Sequence, residues 1–293
     1  MAIEAEKHIN DSEAPLFLKF VNFYINDAIF LLDESLDIMK RIQEEQNERE
    51  NTWPNLLLHE QQERAVAFQR LEGWARACNR MSLQSITVLD KLTKEIKEVF
   101  THSTLVDRMA GMLNHFLKSL VDPDKAIFSD SNKKDYNFYP GQVIRDICRI
   151  YVNFQESDAF FQAVSRDGRS YSSTMFSLAL DVLLGAGITE LLADLQMVES
   201  KVKQAAENAV ADEEAFAEAP DQYLDAILSH LMTDPVRLPN SGQVVDRSTI
   251  ARHLLSDQND PFTRAPLTME DVEPMDELRV EIQSWMASRR VQN

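Results

Sequence analysis

Glycine is scarce in this sequence, with 7 in 293 residues. Globular proteins average about 7% glycine, so the chain has roughly a third of the usual share. Few positions are therefore available for tight turns with a positive φ, which predicts a mainly helical protein. The scarcity also excludes glycine-rich phosphate-binding loops, because neither G-x-G-x-x-G nor G-x-x-x-x-G-K occurs.

Cysteine is nearly absent: Cys78 and Cys148 are the only two, and they lie far apart. Six scattered histidines add no metal-ligand spacing, so we expect neither a structural zinc site nor a cofactor. The sequence also shows no secretory signal and no long uncharged apolar run, so we expect no membrane as partner. Free cysteines in such a chain favour a reducing compartment, the cytoplasm or the nucleus.

Positive charge is in short supply, with 30 Lys and Arg against 48 Asp and Glu and a net charge of -18. A strongly acidic surface repels phosphates, so nucleic acid is not expected as a partner. Lysine is missing altogether after Lys203.

Proline divides the chain, because six of its 10 prolines lie from Pro220 onward. Just before Pro220, residues 205–219 are rich in Ala and Glu, which favour helix but offer little apolar surface to bury. We therefore predict three parts: a helical core segment (1–204), an acidic Ala-rich linker (205–220) and a second domain (221–289).

Apolar residues in the first part recur at helical spacing, which predicts a succession of helices with short connections. This pattern indicates an α-solenoid-like (armadillo-type) body or an irregular bundle, although no strict repeat can be counted. The predicted helices cover residues 16–46, 58–78, 82–100, 104–121, 142–154, 172–184 and 189–208.

Several polar residues predict where these helices begin. Ser82 is a candidate N-cap for one helix, and Ser103 or Thr104 for the next. Loops are expected at residues 122–124 and at 129–141, where Asn, Asp, Pro and Gly cluster.

The last segment changes character and predicts a small α+β domain. Two β-prone runs, 236–238 and 243–245, flank Pro-Asn-Ser-Gly and indicate a hairpin. Asp246 or Ser248 can then cap a helix over 249–255. A proline-bracketed loop follows, and apolar residues at helical spacing predict a terminal helix over 275–288.

Three ordered motifs in this segment resemble the U-box, a zinc-free relative of the RING domain found in ubiquitin ligases. They are Tyr223-Leu-Asp-Ala-Ile-Leu-Ser-His-Leu-Met-Thr-Asp-Pro-Val236, Val245-Asp-Arg-Ser-Thr-Ile250 and Asp260-Pro-Phe-Thr-Arg-Ala-Pro-Leu267. The absence of cysteine here agrees with the resemblance, because metal cannot hold the loops. Hydrogen bonds must do so instead, and we expect this polar network to include Asp246, Arg247, His253 and Asp260.

Upstream motifs are similar to the helical core of the Ufd-two type of ubiquitin conjugation factor. They are Phe20-Val-Asn-Phe-Tyr-Ile-Asn-Asp-Ala-Ile-Phe-Leu-Leu-Asp-Glu34 and Asp107-Arg-Met-Ala-Gly-Met-Leu-Asn-His115. Members of that family extend ubiquitin chains on substrates that already carry ubiquitin. They are several times longer than this chain, which looks like their C-terminal portion.

The resemblance implies a function without a nucleophile on this chain, because the thioester belongs to a ubiquitin-conjugating enzyme that the U-box docks. It implies that two loops form the docking groove, with Ile227 and Leu228 in the first and Pro261 and Phe262 in the second. Plain core packing is the competing interpretation of Ile227. The expected partners are the conjugating enzyme, ubiquitin and ubiquitylated substrates.

Arg264 stands where the family keeps a basic residue that bridges the conjugating enzyme and its donor ubiquitin. A guanidinium is always charged and can donate to two carbonyl groups at once, which suits that role. The competing interpretation is a surface ion pair with Asp260 or Glu270.

The chain departs from the family at Ser229, where many U-boxes have an aromatic residue that strengthens the apolar anchor. This departure leaves open which conjugating enzymes the U-box accepts. A second interpretation of the whole chain is a non-catalytic adaptor, in which the helical body binds a partner such as the family's AAA unfoldase and the U-box is degenerate.

Overall fold

The first two helices form a long antiparallel hairpin in the computed structural model, which describes residues 14–122, 135–216 and 218–290. Helix α1 (Ala14–Asn51) and helix α2 (Leu58–Glu95) each have 38 residues and are joined through a short 3-10 turn. The predicted break between residues 78 and 82 is wrong. Ser82 is buried inside α2 instead of capping a helix, and the neighbouring Asn79 amide is satisfied by Ser35 and by the carbonyl of Tyr136.

Six further helices follow in the part of the helical body that the structure describes: α3 (Lys97–Phe100), α4 (Val106–Val121), α5 (Pro140–Asn153), α6 (Asp158–Arg166), α7 (Met175–Gly185) and α8 (Leu192–Phe216).

The starts of two of these helices differ from the prediction. Helix α4 has no side-chain cap, because Leu105 takes the N-cap position and Thr104 bonds to His102; the predicted caps Ser103 and Thr104 are therefore wrong. Pro140 and Gly141, predicted as loop, begin α5, where proline tolerates the first helical turn. Of the predicted loops, residues 123–124 and 129–134 lie outside the described residues.

One large apolar core joins these helices, with Tyr151, Phe116 and Phe160 among its fully buried side chains. A smaller cluster around Trp53 and Phe68 fills the tip of the hairpin. The prediction of a mainly helical body is confirmed. The armadillo-type description is not, and α1 or α2 alone is almost as long as a whole armadillo repeat of about 40–47 residues.

Helix α8 continues through most of the segment predicted as a linker. It ends at Phe216, and Ala205 packs partly buried against the main core. The boundaries of the three predicted parts stay a prediction.

The C-terminal module (residues 218–290) is a small α+β unit, as predicted. Strand β1 (Pro235–Arg237) pairs antiparallel with β2 (Val244–Asp246), with Val236 opposite Val245. Helix α9 (Arg247–Ser256) follows at once, and Asp246 is its N-cap because its carboxylate accepts the N–H of Ser248. A third strand that the sequence did not predict, β3 (Glu273–Pro274), pairs with the other side of β1, and α10 (Asp276–Arg290) closes the chain.

Two small apolar clusters hold this module together. Val236, Val245 and Ile250 form one between the sheet and α9, and Ile282 of α10 packs with Tyr223 and Met232 in the other. Clusters of this size leave a domain marginal unless polar contacts fix its loops.

Candidate functional site

The first loop of the C-terminal module (residues 225–230) is organised by a buried aspartate. Asp225 is 1% exposed, and its Oδ1 accepts the backbone N–H groups of Ile227 at 2.7 Å and Leu228 at 2.9 Å. The N–H of Asp225 donates to the carbonyl of His230, and the N–H of Ser229 donates to the carbonyl of Asp225. These hydrogen bonds hold the loop so that the side chains of Ile227 and Leu228 point outward, 39% and 45% exposed.

The second loop (residues 260–265) has the same arrangement of hydrogen bonds. Asp260 is fully buried, and its Oδ1 accepts the N–H groups of Phe262 at 2.8 Å and Thr263 at 3.2 Å. The N–H of Asp260 donates to the carbonyl of Ala265, and the N–H of Arg264 donates to the carbonyl of Asp260. Phe262 is presented outward, 44% exposed, beside the partly buried Pro261.

Each loop also has its fifth residue in the left-handed region, with φ of 55° for Ser229 and 63° for Arg264. This conformation costs a residue with a Cβ about 1 kcal/mol. The hydrogen bonds of each loop impose this conformation. Ser229 and Arg264 each lie between the aspartate and the residue whose carbonyl accepts the N–H of that aspartate.

Asp246 connects the first loop to the strands. Its Oδ2 accepts the N–H groups of Thr233 at 2.7 Å and Asp234 at 3.0 Å, and its own N–H donates to Oδ2 of Asp225 at 2.7 Å. Burial raises the pKa of Asp246, but the hydrogen bonds from Asp234, Thr233 and Ser248 outweigh burial and lower it.

The pKa of Asp260 is lowered for the same reason. Burial raises it, and hydrogen bonds to the carboxylate, among them those from the N–H groups of Phe262 and Thr263, more than offset that effect. Both aspartates therefore accept these hydrogen bonds in their charged form. They fix the loops, as metal ligands do in a zinc-bound domain.

Two other predicted network residues lie close by. The Nε of Arg247 donates to Oδ2 of Asp234 at 2.7 Å. The Nε2 of His253 donates to the carbonyl of Asn259 at 2.9 Å, immediately before the second loop. All four predicted network residues thus make contacts within or beside the loops, although their contribution to stability stays a prediction.

Comparison with known proteins agrees with the resemblance seen in the sequence. Residues 3–203 match the family model of the ubiquitin elongating factor core. The chain belongs to this family. Residues 219–291 match the U-box domain model, so the C-terminal module is its U-box.

Curated relatives share the whole matched region. The chain is 41% identical over 294 residues to Ubiquitin conjugation factor E4 A of Bos taurus, covering 100% of this chain and 28% of the relative. It is 38% identical to Probable ubiquitin conjugation factor E4 of Arabidopsis thaliana, covering 96% and 28%. It is 34% identical to E4 ubiquitin-protein ligase UFD2 of Saccharomyces cerevisiae, covering 93% and 29%. The chain thus spans less than a third of the length of these relatives.

The U-box brings the predicted docking residues to the two loops. Ile227, Leu228 and Phe262 are at the loop tips and Arg264 is exposed beside them. Within the described residues the Arg264 guanidinium forms neither of the ion pairs considered from the sequence, because the Asp260 carboxylate faces its own loop backbone. The docking and bridging roles themselves stay predictions.

Sequence reasoning missed Asp225, although it organises the first loop as Asp260 organises the second. The two loops share only this aspartate in sequence, so their repetition is visible in the backbone and not in the residue pattern. In each loop the residue before the aspartate bridges to the residue six positions after the aspartate, Leu224 with Leu231 and Asn259 with Pro266.

Ser229 lines a cleft of about 730 Å³ between the first loop, the hairpin and the start of α10. Ala226, Val244 and Leu278 form part of its apolar wall, and Glu277 and Glu281 add negative charge. This U-box thus has an open, partly acidic cleft beside its first loop.

The two cysteines of this chain are unsuited to carry ubiquitin. Cys78 and Cys148 are 1% and 0% exposed, and burial raises the pKa of each thiol. A buried thiol with a raised pKa supplies no thiolate for attack on a thioester. Among the residues that the structure describes, no three His, Cys, Asp or Glu side chains come together in a way that could hold a metal ion. None of the described helices has the length and apolar character to span a membrane.

Proposed function

We propose that this chain docks a ubiquitin-conjugating enzyme through its U-box and promotes ubiquitin transfer to a substrate that already carries ubiquitin. The observation that carries the proposal is the paired presentation of Ile227, Leu228 and Phe262 on two rigid loops. Rigid loops lose little conformational entropy on binding, so a small apolar patch suffices for reversible recruitment. The family match and the names of the relatives support the same activity.

Arg264 is the residue for which we propose a role in the transfer step. It is exposed next to Phe262, where its guanidinium can donate to the docked enzyme and to the tail of the donor ubiquitin together. Holding that tail in one arrangement brings the thioester carbonyl into reach of an acceptor lysine and lowers the entropic barrier. The chain itself forms no thioester intermediate with ubiquitin.

The test is discharge of a ubiquitin-charged conjugating enzyme onto free lysine. With Arg264→Ala we expect the discharge rate to fall at least tenfold, about 1.4 kcal/mol of transition-state stabilisation, while the Kd for the enzyme stays within about twofold. With Phe262→Ala or Ile227→Ala we expect the Kd itself to rise at least about tenfold. Arg237→Ala, an exposed arginine on β1, and Val280→Ala, an exposed apolar residue on α10, are the matched controls.

If the wild-type chain did not accelerate discharge above the spontaneous rate with any conjugating enzyme of a panel, the proposed activity would be wrong. Equal loss of binding and discharge in Arg264→Ala would contradict the bridging role and make Arg264 part of the docking surface.

We propose as a second candidate that the helical body binds an AAA unfoldase, the adaptor function that the resemblance implies. The outer face of the α1–α2 hairpin supports it, because it is apolar and turned away from the core. On α1, Phe20, Phe23 and Phe30 recur at helical spacing and are 58–63% exposed. On α2, Trp74 is 50% exposed and its Nε1 donates to Glu34, which places it beside the α1 stripe.

A triple variant, Phe20→Ser with Phe23→Ser and Phe30→Ser, tests this candidate. We expect it to lose capture of the unfoldase while discharge onto free lysine stays within twofold. Leu184→Ser with Val210→Ser, two exposed apolar positions on α7 and α8, is the control. Unchanged capture by the triple variant would contradict this candidate alone.

The family function and the absence of a spanning helix among the described residues are consistent with a cytoplasmic or nuclear location, which we propose for the chain.

A further inference from the structure

The U-box is in direct contact with the helical body. Helix α9 packs against α1, and Leu255 of α9 lies partly buried against the main core of the body. Three residues earlier, Nη1 of Arg252 lies 2.9 Å from Oδ2 of Asp107, in the first turn of α4. One helix of the U-box thus makes an apolar and an ionic contact with the body.

A second contact lies at the other end of the U-box. Helix α10 packs against α8 of the body. Two separate contacts restrain rotation of a domain far better than a single one, because rotation about either contact breaks the other.

The ionic contact at Arg252 lies near a second arginine, Arg108. Arg108 donates to Asn26 of α1, and its Nε is buried without a hydrogen-bond partner. Burial lowers the pKa of Arg108, and the nearby charge of Arg252 lowers it further. Asp107 pairs with Arg252, and without that carboxylate the like charges of Arg252 and Arg108 would remain close together.

The contact leaves the proposed docking groove open. Ile227, Leu228 and Phe262 keep 39–45% exposure while α9 and α10 touch the body. A conjugating enzyme docked there would therefore have a defined position relative to the body. Every cation of the U-box is arginine, because no lysine follows Lys203, so acceptor lysines on this chain are confined to the body.

We propose that Arg252 and Asp107 are positioning residues, whose contact fixes the U-box on the helical body and so selects the lysines that a docked conjugating enzyme reaches. This inference rests on the proposed docking function. The two residues act only through the orientation of the U-box and touch neither ubiquitin nor the reacting atoms.

The step that they direct is ordinary aminolysis. The neutral Nζ of an acceptor lysine attacks the carbonyl carbon of the thioester between ubiquitin and the conjugating enzyme. The C–N bond forms and the C–S bond breaks, and the sulfur leaves as a thiolate with the bonding electron pair. The proton lost by the amine passes to solvent. No oxidant, reductant or metal is required.

The experiment uses the full chain, a charged conjugating enzyme and three variants: Asp107→Arg, Arg252→Asp and the two combined. Self-modification is measured at dilutions where its rate per molecule does not change with concentration, and the modified lysines are mapped by mass spectrometry. We expect each single variant to lower this rate at least threefold and to spread modification over more body lysines. Discharge onto free lysine should stay within twofold, because the groove is untouched. The combined variant should restore at least half of the lost rate.

Glu48→Arg with Arg64→Glu and their combination are the matched control, because this exposed pair joins α1 to α2 away from the U-box. Hydrogen exchange supplies a readout that needs no catalysis: amides of α1 around Asn26 and of α9 should exchange at least threefold faster in each single variant. Asp107→Asn and Arg252→Gln, which avoid a reversed charge, should change the exchange rates in the same direction.

An unchanged lysine pattern and unchanged exchange in the single variants would overturn the proposal, and so would a combined variant no better than either single one. If wild-type discharge onto free lysine fails, the docking function is wrong, while the exchange data still decide whether Arg252 and Asp107 hold the U-box on the body.

Discussion

The two loops of the U-box share one backbone arrangement and differ in what they present. In both, a buried aspartate accepts backbone N–H groups from the next residues, and the fifth residue adopts a positive φ. The first loop presents Ile227 and Leu228, whereas the second presents Phe262 and the cation of Arg264. The aspartates therefore form the frame of both loops, and the loop tips present the side chains for which we propose a role in recognition.

The loops also differ in how they connect to the rest of the U-box. Asp225 uses its second carboxylate oxygen to accept the N–H of Asp246, so the first loop is joined to β2 and to the start of α9. The second loop is joined to the hairpin turn, where Asn240 donates to the carbonyl of Pro266 at 3.4 Å. The first loop is therefore the more strongly connected of the two.

The largest expected effect comes from removing the two aspartates. Asp225→Ala leaves three backbone donors unpaired and should lower the free energy of U-box unfolding by about 3–4 kcal/mol, whereas Asp260→Ala leaves two and should cost about 2–3 kcal/mol. Chemical denaturation of the full chain measures both. Asp257→Ala, an exposed aspartate close to the second loop, is the control. An unchanged melting temperature in Asp260→Ala would contradict its role in the fold.

Acid should weaken the U-box. The pKa values of Asp246 and Asp260 are lowered from 3.8 in the folded protein, so the unfolded chain binds protons first as the pH falls. Their contribution is complete above about pH 5 and is lost as the pH falls below the unfolded value and through the lowered folded values. We expect the U-box unfolding midpoint to drop in that window, measured by urea titrations between pH 6 and 3. Asp246→Asn and Asp260→Asn should each reduce the slope, and a midpoint in the wild type that does not change over that range would argue against charged acceptors.

The smallest effect concerns the left-handed positions. Ser229→Gly and Arg264→Gly remove a Cβ where φ is positive, so relief of backbone strain should nearly cancel the entropy gained by the unfolded chain. We expect changes in unfolding free energy within about 0.5 kcal/mol for both. Ser229→Val, which is β-branched, should instead destabilise by at least about 1 kcal/mol. Equal behaviour of the glycine and valine variants would mean that the conformation is not fixed in solution.

The sequence predicted the fold where a pattern had a local cause. The hairpin, the Asp246 cap and the terminal helix all follow from short-range signals that the structure confirms. The failures have tertiary causes. The break predicted before Ser82 is absent because polar side chains of the long α2 are satisfied by α1 and Tyr136, and β3 is only two residues long and exists through its pairing with β1.

The site was predicted in the same uneven way. Motif resemblance identified Ile227, Phe262 and Arg264, and loop chemistry identified Asp246 and Asp260. Asp225 was missed because no proline marks the loop around it, whereas Asp260 directly precedes Pro261. The contact of Arg252 with Asp107 joins residues 145 positions apart, and nothing local predicts it.

The decisive measurement is discharge of ubiquitin from a charged conjugating enzyme onto free lysine, compared between the wild-type chain, Phe262→Ala and Arg264→Ala. If the two loops act as proposed, the wild type stimulates discharge, Phe262→Ala loses both binding and stimulation, and Arg264→Ala loses stimulation but retains binding. Stimulation that survives in both variants would contradict it.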